Sequence, residues 1–166
     1  MNLNLNRSNI GLYRFLLIVT CFFVVSAVGP GLFGQTISNS SWQYKIFHLV
    51  CHQDAFRSYS VNSVSMAVCA RCFGIYTALF IGLLIAPLVV NIRFLNRTRC
   101  LAFLATSIII NFADVLANAT GIYSNTLHSR FVLGALFGLS IMLFLADEFF
   151  KKITLTEDTY GTTSTT

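Results

Sequence analysis

Four long apolar stretches alternate with short polar or basic ones along this chain, and the alternation predicts its architecture. The stretches run over about residues 12–33, 68–92, 100–120 and 130–150. Each holds close to the roughly 20 apolar residues that cross about 30 Å of hydrocarbon at 1.5 Å per residue. The pattern therefore predicts an all-α, integral membrane four-helix bundle, a single membrane domain over residues 1–152. The first stretch ends at Gly29–Pro30–Gly31 and also has the outline of a signal peptide, with Arg7 and Arg14 ahead of it and "VSA" before Val28. Both readings put the next residues across the membrane.

The segment 35–67 breaks the apolar rhythm. Trp42, Ile46, Leu49 and Val50 fall close to helical spacing, which predicts a short interfacial helix with Trp42 and Tyr44 in the headgroup belt. Residues 54–65 are polar and read as a loop. At the far end, residues 153–166 are polar and read as a disordered cytoplasmic tail. Within the second span Gly74, Ala78, Gly82 and Ala86 recur every four residues, and Gly134 and Gly138 do so in the fourth. Small residues on one face let another helix approach closely, so both faces are candidate contacts for a homo-oligomer or a membrane complex. Pro87 marks a kink near the inner end of the second span.

Composition strengthens the membrane reading. The 166 residues are 55% hydrophobic and 10% charged, against about 25% charged in ordinary soluble domains. The net charge of +5 does not point to nucleic acid, because no basic patch with interleaved aromatics is present. The basic residues sit at the span ends instead. Arg7, Arg14, Arg93, Arg97, Arg99, Lys151 and Lys152 flank one side, and Lys45, Arg57, Arg71 and Arg130 the other. That excess predicts both termini in the cytoplasm and segment 35–67 outside it.

Polar residues within the spans narrow the chemistry. Asp114 is costly in an apolar span and is a functional candidate for that reason. Asn111, Asp114 and Asn118 share its helix face, in the outer half of the third span. Arg71 and Arg130, at the tops of the second and fourth spans, are its expected partners, either in a structural ion pair or in a polar cleft that also draws in Arg57. Arg57 and Arg71 suit a phosphate or carboxylate head group, and His52 suits general acid or base work.

Of five cysteines, Cys21 and Cys100 read as small buried hydrophobes. Cys51, Cys69 and Cys72 form, with His48, the pattern H-x2-C-x17-C-x2-C. Two chelating pairs separated by a loop resemble a four-ligand zinc site, with either His48 or His52 as fourth donor. Such a zinc would pin the external segment to the second span. A rival reading uses Cys69 and Cys72 as a redox pair, whose pKa a helix N-terminus and Arg71 would lower. That arrangement resembles quinone-coupled membrane thiol oxidoreductases. Those need a second cysteine pair, and the loop 119–129 has none. A third reading is a non-enzymatic transporter or assembly partner. No Ser-His-Asp or metalloprotease motif is present.

At "CHQDAFRS", Cys51 to Ser58, and "VCARCFGIY", Val68 to Tyr76, the chain resembles a family of small membrane proteins known as domain of unknown function 2085. The resemblance runs over Cys51, His52, Gln53, Arg57, Ser58, Cys69, Ala70, Arg71, Cys72, Gly74, Ile75 and Tyr76. A looser second block takes in Asp114, Ser124, Asn125, Arg130 and Gly134. The resemblance implies a bacterial cytoplasmic-membrane protein and no particular reaction. It also includes His52, whereas spacing alone favours His48. If His52 is the ligand, the chain around it must turn rather than stay helical.

Overall fold

A computed structural model describes residues 7–32, 42–89, 97–121 and 123–160. Arg93, residues 35–41 of the segment between the first two spans, and the last six residues lie outside the described residues. The helices are α1 (Arg7–Leu32), α2 (Trp42–Phe47), α3 (Ala70–Val89), α4 (Arg97–Ala119) and α5 (Leu127–Tyr160). Four of them are long and apolar enough to cross a membrane: α1, α3, α4 and the first part of α5, Leu127–Leu145. The expected number of four membrane-length apolar helices is thus present among the described residues. α5 runs further than predicted. No Gly or Pro interrupts residues 139–160, so the backbone continues in helix through 153–160, where the polar sequence suggested a disordered tail.

The helices pack in the order α1, α3, α5, α4. α1 runs antiparallel to α3: the Tyr13 hydroxyl donates to the Leu83 carbonyl (2.7 Å), and at the other end Ala67 N–H donates to the Ala27 carbonyl (3.1 Å). α3 and α5 run parallel. A side-chain carbon at Gly74 would collide with the Phe131 carbonyl and one at Gly82 with Met142. Gly134 lies against the Arg71 carbonyl and Gly138 against that of Ile75. The two small-residue faces therefore pack against each other inside one chain. They are occupied there, which corrects the expectation that they would serve a second copy.

α4 returns antiparallel along α5 and is fastened by polar contacts. Ser107 and Ser140 share a fully buried hydroxyl–hydroxyl hydrogen bond (2.8 Å), and the Asn111 amide donates to the Leu133 carbonyl (3.1 Å). Of its apolar window only 11% is buried inside the protein, the least of the four. Its other faces meet the hydrocarbon.

The segment between α1 and α3 packs over one end of the bundle. In α2 the buried residues are Gln43 and Phe47, with Cys51 one turn on, while Trp42, Ile46, Leu49 and Val50 are exposed. The apolar stripe seen in the sequence thus faces outward, as an interfacial helix requires, and a second stripe i, i+4, i+8 faces the protein. Residues 60–65, expected to be loop, form a hairpin of β1 (Ser60–Val61) and β2 (Val64–Ser65). Asn62 and Ser63 both have positive φ, 52° and 63°, as a two-residue type I′ turn needs. The hairpin lies on the last turn of α1. Asn62 donates to the Gly31 carbonyl (3.0 Å), and Gly31 approaches Val61 so closely that a Cβ would stand 2.6 Å from the valine Cβ.

Candidate functional site

Cys51, Cys69 and Cys72 converge at the hairpin end of the bundle. Their sulfurs all lie within 4.8 Å of one another, and those of Cys69 and Cys72 are 3.4 Å apart. Local folding explains the convergence. Cys51 closes the turn that leaves α2, its N–H bonded to the Phe47 carbonyl (2.8 Å). Cys69 immediately precedes α3 and donates its own N–H to the Cys51 sulfur (3.2 Å). Cys72 is in the first turn of α3, three residues on and so on nearly the same face.

Around the thiols lies a small apolar core. Ala27, Phe47, Ala67 and Val68 are buried with Cys51, and Phe23, Tyr44, Phe73 and Tyr76 pack against them. Phe23 stacks on Tyr76 with ring centroids 5.4 Å apart. The segment over the bundle therefore has a core of its own, more than its polar sequence suggested. Hydrogen bonds from Cys69 and then Cys72 hold the Cys51 thiol well below its usual pKa, against the opposing effect of burial. The sulfur spacing suits a metal: a tetrahedral zinc with bonds of about 2.3 Å separates its sulfurs by roughly 3.8 Å.

Neither histidine joins the thiols. Among the described residues the cluster consists of the three cysteines, and both His48 and His52 are exposed. Cys51 is buried while the adjacent His52 is exposed, on the irregular stretch between α2 and the turn at Asp54. His48 lines a separate open pocket of about 490 Å³ with Tyr44, Lys45 and Gln53.

The rest of the "CHQDAFRS" stretch builds the turn that presents Cys51. Gln53 takes a left-handed backbone (φ 50°), unusual for a residue with a side chain. Its amide donates to the Tyr44 carbonyl (2.7 Å). The Asp54 carboxylate accepts from Phe56 N–H (3.0 Å), and the Ser58 hydroxyl donates to the Asp54 carbonyl (2.9 Å). Arg57 pairs with Asp54 at 3.0 Å and is half exposed. Arg57 is thus engaged locally, three residues from its partner, and does not reach the cleft expected around Asp114.

That cleft is smaller than expected and sits on another flank of α3. Arg71 and Asp114 form an ion pair, with side chains 25% and 11% exposed. The Asn125 amide donates to the same carboxylate oxygen (2.7 Å), and Asn118 accepts from the Asn125 N–H (3.2 Å). Asn111, Asp114 and Asn118 do share one face, each engaging α3, α5 or the loop before α5. Arg130, in the first turn of α5, is half-buried and pairs with no carboxylate among the described residues. Successive helical residues turn by about 100°. Arg71 therefore points toward α4 while Cys72 faces the aromatic core beside α1. The thiols and the ion pair are neighbours in sequence on different sides of one helix.

Sequence reasoning brought out the three cysteines, Arg71, Asp114 and the amide face. It missed Asn125 as Asp114's second partner and the contact of the Tyr59 hydroxyl with His128 Nδ1 (3.2 Å). Both arise from loops folding back on helices, and neither carries a spacing signal.

A family model described as "Predicted membrane protein (DUF2085)" matches residues 51–144. An uncharacterized protein of Methanocaldococcus jannaschii, MJ1492, is 30% identical over 113 residues, covering 66% of this chain and 70% of its own length. That relative is archaeal, so the bacterial setting implied by the resemblance does not define the family. No solved structure matches the chain. The matched stretch takes in the thiol cluster and the ion pair entire, and the chain belongs to this family of predicted membrane proteins.

Proposed function

We propose that this protein holds a zinc-type metal ion on Cys51, Cys69 and Cys72 at the extracytoplasmic face of its membrane. The ion pins the segment between α1 and α3 to the start of α3. The observation that carries this reading is the convergence of three sulfurs from two separate elements onto one point. The outward-facing histidines leave the fourth coordination position to a solvent donor. On the α4 side of α3, the Arg71–Asp114–Asn125 cluster receives an anionic or membrane-embedded small substrate. Both termini are cytoplasmic, from the excess of Lys and Arg on that side.

Metal analysis of the purified protein tests the reading. The expected result is about one zinc per chain, lost in Cys51→Ala and in Cys72→Ala. The 3.4 Å approach of Cys69 and Cys72 sulfurs favours one rival, a thiol–disulfide redox protein. Metal-free protein with a reversible Cys69–Cys72 disulfide would establish that rival and remove the zinc reading. Labelling from outside intact cells tests the orientation: a Cys72 reached only from the cytoplasm overturns it.

A further inference from the structure

A groove lies between α3 and α4, floored by α5. Arg71 and Ile75 line it from α3, Ile108, Phe112 and Val115 from α4, and Phe137 from α5. Its volume is about 330 Å³, at the low end of small-molecule sites (about 300–1,000 Å³). Apart from Arg71 and Asn111 the lining is apolar. The groove lies within the membrane-spanning parts of α3 and α4, and Phe112 and Val115 are exposed on its rim. It therefore opens sideways into hydrocarbon rather than into water, and only a ligand dissolved in the bilayer can enter it.

Charge says what sits at its polar end. Arg71 pairs with Asp114 through one terminal nitrogen, but its Nε is buried with no hydrogen-bond partner. A buried guanidinium N–H without an acceptor is costly and is satisfied best by an anionic oxygen. Arg130 stands four residues before Gly134, which abuts the Arg71 backbone, and so lies about 6 Å nearer the membrane surface. Arg71 lines the groove itself, and Arg130, outside the lining and about one turn nearer the surface on α5, is a second cation with no carboxylate partner among the described residues.

We infer that the α3–α4 groove binds one chain of a membrane lipid with a phosphate-bearing anionic head group, which Arg71 and Arg130 hold. The inference names the substrate class for the polar site proposed above and rests on that reading of Arg71 and Asp114. It does not require the metal.

The test uses the full-length protein in vesicles of equal parts phosphatidylglycerol and phosphatidylcholine, extracted gently, with retained lipid identified by native mass spectrometry. Phosphatidylglycerol should be retained in preference by about tenfold. Val115→Trp, which fills the groove from an exposed position, should bring the ratio near unity. Val132→Trp, exposed on α5 and away from the groove, should leave it unchanged. Arg71→Lys keeps a cation for Asp114 but removes the Nε donor, and should lower the ratio several-fold. Equal retention of the two lipids overturns the inference. So does a preference that survives Val115→Trp, or stabilisation by inorganic phosphate equal to that by phosphatidylglycerol. Zinc is measured on the same samples. Lipid preference without metal removes only the metal reading, and metal without lipid preference removes only this one.

Discussion

Replacing Gly134 by alanine probes the seam that holds the molecule together. The new methyl would collide with the Arg71 carbonyl oxygen, with the Arg71 carbonyl carbon at 2.8 Å and its Cα at 3.1 Å. All three are backbone atoms, so no rotamer change relieves the contact and the helices themselves must part by roughly 1 Å. A gap of that size forfeits about a quarter to a half of each dispersion contact along the seam. Overpacking of this kind costs about 1–3 kcal/mol. Alanine in a helix returns up to about 1 kcal/mol relative to glycine, so the net loss should be up to about 2 kcal/mol, toward the upper end because only backbone can give way. Gly11→Ala supplies the control, because a methyl there meets nothing within 4 Å. It should stabilise by about 0.5–1 kcal/mol. The same substitution thus changes sign between two helices of one protein. Unfolding in mixed micelles with increasing dodecyl sulfate, followed by circular dichroism, measures both. Gly74→Ala combined with Gly134→Ala should cost less than the sum of the two, since both open the same seam. If Gly134→Ala matches Gly11→Ala in sign, the close approach of α3 and α5 is wrong.

Three further outcomes are expected. The double variant His48→Ala/His52→Ala should bind zinc at the wild-type stoichiometry; loss of the metal would mean that the segment after α2 turns a histidine inward. Asp114→Asn strands the Arg71 cation and should lower stability by about 2–3 kcal/mol, below the roughly 3–5 kcal/mol of a fully buried pair because Arg71 keeps some exposure. Adding Arg71→Gln should recover part of that loss, and an Asp114→Asn protein of unchanged stability would show that the pair carries no weight. Ser63→Gly, at a φ of 63° in the type I′ turn, should raise stability by about 0.5–1 kcal/mol because glycine takes that backbone without strain; a lower midpoint in the same titration would argue against this turn.

The spans were legible because length and apolarity in a bilayer leave little freedom. The amide face of α4 was legible for a related reason: polar residues at spacings of three and four in an apolar helix must meet something. That the three cysteines converge was visible in their spacing, but the position of the histidines was not. Whether His48 or His52 turns inward depends on where α2 ends, and Cys51 takes the inward position. Arg57 was placed in the cleft because charge alone does not distinguish a partner three residues away, Asp54, from one across the bundle. The hairpin had a short-range signal, Asn-Ser between valines, outweighed by the polarity around it. The small-residue faces announced close packing without naming the partner, since Gly74 and Gly134 are 60 positions apart.

The fastening of α4 has a consequence for the order in which the protein is made. α4 leaves the ribosome before α5, yet Ser107 and Asn111 find their interhelical partners on α5. Among the described residues of its polar face, Asp114 alone has an interhelical partner already synthesised, Arg71 of α3, while Ser107 and Asn111 have at that stage only bonds within α4. In hydrocarbon an unmatched amide or hydroxyl finds no water to bond with. α4 should therefore wait at the edge of the insertion machinery, tethered to α3 at a single point, until α5 arrives alongside. A nascent chain arrested before α5 should leave α4 open to membrane proteases and to crosslinking with the translocon, and release of α5 should end both at once.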